Sequence, residues 1–248
     1  MPRSGKIAPI IHKKCAVKVE TARFVDIPTI HRTAQDAFAN DPLYNYLRNT
    51  PDAEPLAPGK SSTFYQRLLA YIELGYYVLY QAMLTINQGE AFVTINRPGR
   101  GKTQCAMERF IRDIMVRTAT VEQRKRWTEL SNKLTAATND AFGGDLAKML
   151  RIVDLATAPE NQGKGYGYAL MASANAEADK IGCASWLLSS NVANTPFYKS
   201  CGYVVVKEVL LGENNPTWME PPFPVLIMAR AASSQTWNTV GTRSSLRQ

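Results

Sequence analysis

Hydrophobic and polar positions change their period along the chain, and each change predicts an element. Residues 16–24 alternate weakly, the spacing of a short strand. Behind Asp26, the residues Ile30, Ala34, Ala37 and Phe38 recur on one helical face, with Pro28 suited to a first turn. That helix is expected to stop at Asn40-Asp41-Pro42, since the residue before a proline avoids the helical region. Residues 50–61 are loop-like in composition, and a second helix is expected over 63–80. Residues 83–87 and 91–95 predict two strands joined by a hairpin turn at Asn87-Gln88-Gly89-Glu90. Arg97-Pro98-Gly99-Arg100-Gly101 breaks the sheet, and residues 103–142 are helical in character, with a charged face and no repeats.

The last third has the clearest pattern. Residues 151–158 are apolar and partly β-branched, and a glycine-rich turn follows at 162–167. Leu170, Ala174, Ala178 and Ile181 then recur at helical spacing until Gly182 stops the helix. Residues 184–190 predict a strand, 195–200 a short helix closed by Gly202, and 203–210 and 224–229 the last strands. The sum is an α/β fold with a central mixed sheet and helices on both faces. One domain is expected over 15–232, with a helical insertion at 103–148 ahead of the strand that enters the glycine turn. Residues 1–14 read as a basic tail and 233–248 as a disordered one, by composition.

Charge and cysteine content narrow the chemistry. The net charge is +8, and ten basic residues fall between Arg97 and Lys133. Glu108, Asp113, Glu122 and Glu129 interrupt them, the pattern of a mixed-sign solvated helix face. The stretch lacks the interleaved aromatics of a single-strand nucleic-acid groove, so no nucleic-acid partner is expected. Cys15, Cys105, Cys183 and Cys201 have no metal-site or redox spacing, and there are only two histidines, His12 and His31. A zinc site is therefore not expected, and free thiols suit a reducing, cytoplasmic setting. The most apolar run, 68–86, is interrupted by Glu73, Gln81 and Thr85, which argues against a membrane span. Five Lys/Arg and no acid in the first 19 residues faintly resemble a transit peptide, against which Pro2 and Pro9 argue.

The segment Gln162-Gly163-Lys164-Gly165-Tyr166-Gly167 lies between a predicted strand and a predicted helix. A glycine turn there bares consecutive backbone N–H groups beside the positive end of the helix dipole, a pyrophosphate site. It is not a dinucleotide fingerprint, because the third glycine position holds Tyr168 or Leu170. Nor is there a Walker A loop: Gly59-Lys60-Ser61 and Gly101-Lys102-Thr103 have Glu54 and Asn96 where the first glycine belongs. What remains is Q-x-x-G-x-G at Gln162, Gly165 and Gly167, with Pro159 three residues ahead. Asn191 follows the next strand, Phe197-Tyr198 lies seven residues on, and then comes Cys201-Gly202-Tyr203.

Over residues 151–229 this pattern resembles the GCN5-related N-acetyltransferase (GNAT) superfamily. The resemblance implies a single GNAT-like domain that uses acetyl-coenzyme A as co-substrate and needs no metal. It assigns coenzyme binding to Leu155, Ala156 and Thr157, to Gln162, Gly163, Lys164, Gly165, Tyr166 and Gly167, and to Asn191. Strand 155–157 would pair with the pantetheine arm, and a backbone N–H near Leu155 would polarise the acetyl carbonyl. The following strand would splay away to leave a wedge. Tyr198 would give a proton or hydrogen bond to the departing thiolate.

The general base is open. In the histone-modifying branch a glutamate stands eleven residues before the motif glutamine, where this chain has Arg151. Asp154, expected by alternation on the opposite face, and Asp36, Asp41 and Glu108 are the other carboxylates considered. The function expected is direct acetyl transfer to the amine of a small molecule. Segment 40–46 would line the acceptor cleft with one carboxylate and two tyrosines. A protein lysine or N-terminal acetyltransferase is the alternative within the class. A non-catalytic module that holds coenzyme A or nucleic acid is the alternative outside it.

Overall fold

A computed structural model of the protein describes residues 17–53 and 64–233. The expectations for tail 1–14, all but the first residue of tail 233–248, most of loop 50–61, and His12 and Cys15 fall outside these residues. The chain runs β1 (Glu20–Thr21), α1 (Ile27–Ala37), α2 (Pro42–Arg48), α3 (Phe64–Leu79), β2 (Met83–Ile86) and β3 (Ala91–Asn96). It continues with α4 (Lys102–Thr118), α5 (Val121–Phe142), β4 (Leu150–Thr157), α6 (Tyr166–Lys180), β5 (Ser185–Ser189), α7 (Thr195–Ser200), β6 (Val204–Leu211) and β7 (Phe223–Arg230).

The strands form one seven-stranded sheet in the order β1-β2-β3-β4-β5-β7-β6. β4 and β5 are parallel; the other neighbours are antiparallel. Helices cover both faces, as the hydrophobic pattern predicts. Leu170, Met171, Ala174 and Ala178 of α6 pack on one face against Val93, Ile95, Leu150 and Ile152. The other face carries α1, α3 and α4 over Met83, Phe92 and Ala156, and α2 and α5 over Trp186, Val209 and Ile227. β3 is buried along its whole length, which fits its place between β2 and β4. Among the described residues no helix is long and apolar enough to cross a membrane.

Four expectations change. The first strand shrinks to two residues. Pro42 does not merely end a helix. Asp41 caps a new one, α2, by accepting N–H bonds from Leu43 (2.9 Å) and Tyr44 (3.1 Å); Pro42 sits at its first position, where no N–H is needed. The 103–142 stretch is two helices, because Thr120 and Gln123 close a capping box that starts α5. The basic stretch is not all solvated either. Arg126 is fully buried, bonded to Glu122, to the carbonyls of Tyr46 and Asn49, and to Thr217.

Candidate active site

β4 and β5 pair only from Leu150–Ile152 to Ser185–Leu187 and then part. Beyond Ile152, β4 keeps β3 as its partner as far as Thr157, while β5 stays with β7 through Ser189. A V-shaped gap opens inside the sheet. The Ala158 N–H donates to the Glu90 carbonyl at 2.8 Å. By antiparallel alternation Asp154 and Ala156 also direct their N–H groups at β3, and Leu155 and Thr157 direct theirs into the gap.

The glycine turn lies at the mouth of this gap. Gly163 (φ +78°) and Gly165 (φ +83°) are left-handed, and a Cβ at either would meet nothing within 4 Å, so the space in front of α6 is open. The first turn of α6 has backbone N–H groups with no intrahelical acceptor and the positive end of the dipole behind them. A pyrophosphate fits this cradle. Gln162 turns back, its Nε2 donating to the Thr157 carbonyl at 3.4 Å, and Lys164 Nζ donates to Asn161 Oδ1 at 2.5 Å. Tyr166 accepts a bond from Asn87 Nδ2 at 3.0 Å. Gly167 serves a different contact: a Cβ there would come within 3.2 Å of Phe197, so its bareness lets α7 approach α6.

On the far side of the gap, Asn191 accepts a bond from the Ala193 N–H at 3.0 Å and caps the turn that leads to α7. Tyr198 packs against Phe197 with ring centroids 5.2 Å apart. Burial, with smaller contributions from Cys201 and Asp154, pushes its phenol well above the ordinary tyrosine range. It therefore stays protonated at neutral pH, as a donor must.

The acceptor side turns on a β-bulge. The β3–β4 register shifts between Thr94 and Ile95, so that Thr94 faces Asp154 and Ile95 faces Ile152, with Val153 as the extra residue. Ile152 and Leu155 consequently pack on the α6 side, and Val153 and Ala156 on the α3 side. Asp154, two residues from Ala156, shares the α3 side with Arg151. This corrects the simple alternation that put it on the other face.

There the charge of Asp154 reaches Glu73 of α3, a residue that sequence reading passed over as an interruption of an apolar run. That interruption, one carboxylate in the most apolar run of the chain, was the available signal. Both are partly exposed. Burial raises Asp154 from 3.8 to about 6, against the pull of Arg151. Burial and then the Asp154 charge raise Glu73 from 4.5 to about 7, opposed by Arg48. Thr94 Oγ1, on the same face of β3, is buried and has no hydrogen-bond partner.

Segment 40–46 divides its residues. Tyr44 lies in the field of both carboxylates, its ring stacked on Phe38 (4.7 Å) with Arg48 over it (4.6 Å). Tyr46 lies in a different cluster, against α5 and β7. It is wholly buried and bonded to Glu129 and Asn215. Both Asp41 oxygens are engaged, one capping α2 and the other accepting from Ser190 Oγ at 2.6 Å. Glu108 is ion-paired with Arg100, and Asp36 is exposed on α1. Among the described residues no group of three His, Cys, Asp or Glu could hold a metal ion.

Residues 128–205 match the model of the acetyltransferase (GNAT) domain family. No curated protein sequence matches the chain. Among solved structures, arylalkylamine N-acetyltransferase 2 from Aedes aegypti superposes with a TM-score of 0.60 at 16% identity, covering 87% of this chain and 99% of that one. Mosquito arylalkylamine N-acetyltransferase like 5b gives 0.60 at 15% identity, over 87% and 100% of the two chains. A Drosophila melanogaster polyamine N-acetyltransferase that forms N-acetylagmatine gives 0.55 at 13%, over 87% and 99%. At these identities the likeness is one of fold.

Proposed function

The chain carries an acetyltransferase (GNAT) domain, and from that premise we propose that it moves the acetyl group of acetyl-coenzyme A directly onto the amine of a small molecule. One observation carries the reading. The sheet opens between β4 and β5 where a bare glycine turn meets the start of α6, with the half-buried Tyr198 beyond it. The turn and the α6 N-terminus would hold the pyrophosphate, with Lys164 nearby to offset its charge. The edge of β4 at Leu155, Ala156 and Thr157 would pair with the pantetheine amides. The Leu155 N–H, directed into the gap, would stabilise the oxyanion that forms when the amine attacks. Tyr198 would protonate the sulfur as the C–S bond breaks. Asn191 would act indirectly, by fixing the turn that carries α7.

A compact amine suits the surroundings of Asp154. Tyr44, Tyr77, Glu73 and Asp154 lie within one another's electrostatic reach, a setting of rings and carboxylates for one ammonium group. The acceptors in the names of the mosquito and fly structures, arylalkylamines and a polyamine, are compact amines. The three described cysteines are unpaired, in keeping with a cytoplasmic enzyme. The test is competition for labelled acetyl-coenzyme A between arylalkylamines, polyamines and amino acids on one side and lysine and N-terminal peptides on the other. Acetylated small amines should dominate. A kcat/KM for any peptide above that of every small amine would return the protein-modifying alternative.

A further inference from the structure

A cavity of about 200 Å³ lies at the end of the sheet away from the glycine turn. Its walls are the corner between α3 and β2 at Tyr80, the end of β3 at Arg97, the link from Pro98 to Gly101, and Gln104 in the first turn of α4. Asn96, next to Arg97, faces Arg151, about 13 Å of strand before Leu155. Arg97 is ion-paired with Glu177, about 16 Å along α6 from Tyr166. We propose that this cavity is a second ligand site, separate from acetyl transfer, for a compact anion with a single carboxylate or phosphate group.

The walls are tied together by hydrogen bonds. The Ile95 N–H donates to the Ala82 carbonyl at 2.8 Å, and Arg97 Nη1 donates to the Gln81 carbonyl at 3.0 Å. Between them Gln81 sits at φ +50°, in the left-handed region that residues with a Cβ enter rarely. The link to α4 shares its backbone features with the turn before α6. A Cβ on Gly99 (φ +72°) or on Gly101 would meet nothing within 4 Å. Gly101 offers no side-chain cap, and the first turn of α4 holds no acid. The first bond of that helix runs from the Cys105 N–H to the Gly101 carbonyl at 3.1 Å, so the N–H groups of Lys102, Thr103 and Gln104 have no helical acceptor. Gly101-Lys102-Thr103 fails as a Walker A loop, yet its glycine, lysine and bare N–H groups retain the chemistry of anion binding.

A second observation points to a guest. Tyr76 is 4% exposed, and its hydroxyl makes no hydrogen bond. It faces the cavity wall from behind: its ring lies 5.1 Å from that of Tyr80, burial raises its pKa, and Gln104 and Arg100 of the wall partly offset that rise. A ligand oxygen that displaces Gln104 would satisfy it. Charge sets the class of ligand. Arg97 and Arg100 are already ion-paired with Glu177 and Glu108. Lys102 is exposed and has no ion pair among the described residues. With the positive end of the α4 dipole it attracts one anionic group. The volume sets the size, since it falls below the roughly 300–1,000 Å³ of a drug-sized site. The lining offers donors but no carboxylate, thiol or imidazole, so the cavity binds its ligand without converting it.

The experiment is calorimetric titration of the full chain with inorganic phosphate and with benzoate at low ionic strength, joined to amide NMR spectra of the ¹⁵N-labelled protein. At least one of the two anions should bind and shift the amides of Lys102, Thr103 and Gln104. Lys102→Glu combined with Gln104→Glu should weaken binding about tenfold or more. Acids in a first helical turn favour the helix, so this variant should fold. Tyr76→Phe keeps the ring and should weaken binding about three- to tenfold. Gly165→Val, which fills the cradle before α6, should leave the anion affinity unchanged. The proposal is overturned if neither anion binds or if either cavity variant binds as tightly as the wild type. It is also overturned if the shifts fall at Gly163–Gly167 and vanish in Gly165→Val. Shifts at Lys102–Gln104 that persist in Gly165→Val support it, whether or not the protein binds acetyl-coenzyme A.

Discussion

Replacing Tyr198 with Phe deletes one hydroxyl from a ring that keeps its packing on Phe197. Turnover should fall about tenfold or more while acetyl-coenzyme A affinity, measured by calorimetry, stays unchanged. Full turnover in the variant would leave Tyr198 a packing residue. Gly165→Val tests the other half of the site. It places a branched side chain in the open space before α6, on a backbone at φ +83°. The strain costs about 1–2 kcal/mol, so the variant should melt modestly lower yet fold, and should not bind the coenzyme. Equal affinity in a titration would refute the turn as a phosphate site. The glycine turn was legible in the sequence because its chemistry lies in the backbone, which spacing reports directly. Asp154 was misplaced because one extra residue reverses every later side chain on a strand, and nothing in the run 150–157 announces the bulge.

At the scale of elements, Arg126 ties α5 to the rest of the acceptor side. Its guanidinium bonds to the Tyr46 and Asn49 carbonyls near the end of α2 and to Thr217, and it lies 4.8 Å from the Tyr46 ring and 5.5 Å from Trp218. Arg126→Met removes the closer charge partner of the buried Glu122, leaving only Lys125 at 3.8 Å, and should cost about 3–5 kcal/mol, read by denaturant titration. Because α2 carries Tyr44 and Arg48, KM for the amine should rise more than Kd for the coenzyme. A loss of under about 1 kcal/mol would show that the network is dispensable. The sequence held the signals for these elements. Asp41-Pro42 is a cap followed by a helix-starting proline, and Thr120 with Gln123 is a capping box. The burial of Arg126 was not legible, because its partners other than Glu122 lie 77 to 91 residues away, beyond any local pattern.

For the molecule as a whole, the two carboxylates Glu73 and Asp154 oppose stability. Glu73 and Asp154 have folded-state values of about 7 and about 6, above their ordinary 4.5 and 3.8. A carboxylate raised in this way binds its proton more tightly in the folded protein. Its stabilising contribution is complete below the unfolded value and is lost as pH rises through the folded one. The window therefore runs from about pH 4 to about pH 7. Glu73→Gln should raise the melting temperature at pH 8 and change it much less at pH 5. A variant that is less stable at both pH values would mean that the charged form is well accommodated, contrary to this reading.

The parting of β4 and β5 has a consequence beyond catalysis. It leaves unpaired N–H and C=O groups in the middle of a sheet, where they act as an internal edge that invites a foreign strand. A coenzyme arm seated there would serve as the missing strand, and ligand at a hundred times its Kd adds about 2.7 kcal/mol of stability. Proteases that sample the open form would then degrade the protein faster when the acyl donor is scarce, so its abundance in a cell would track metabolic supply.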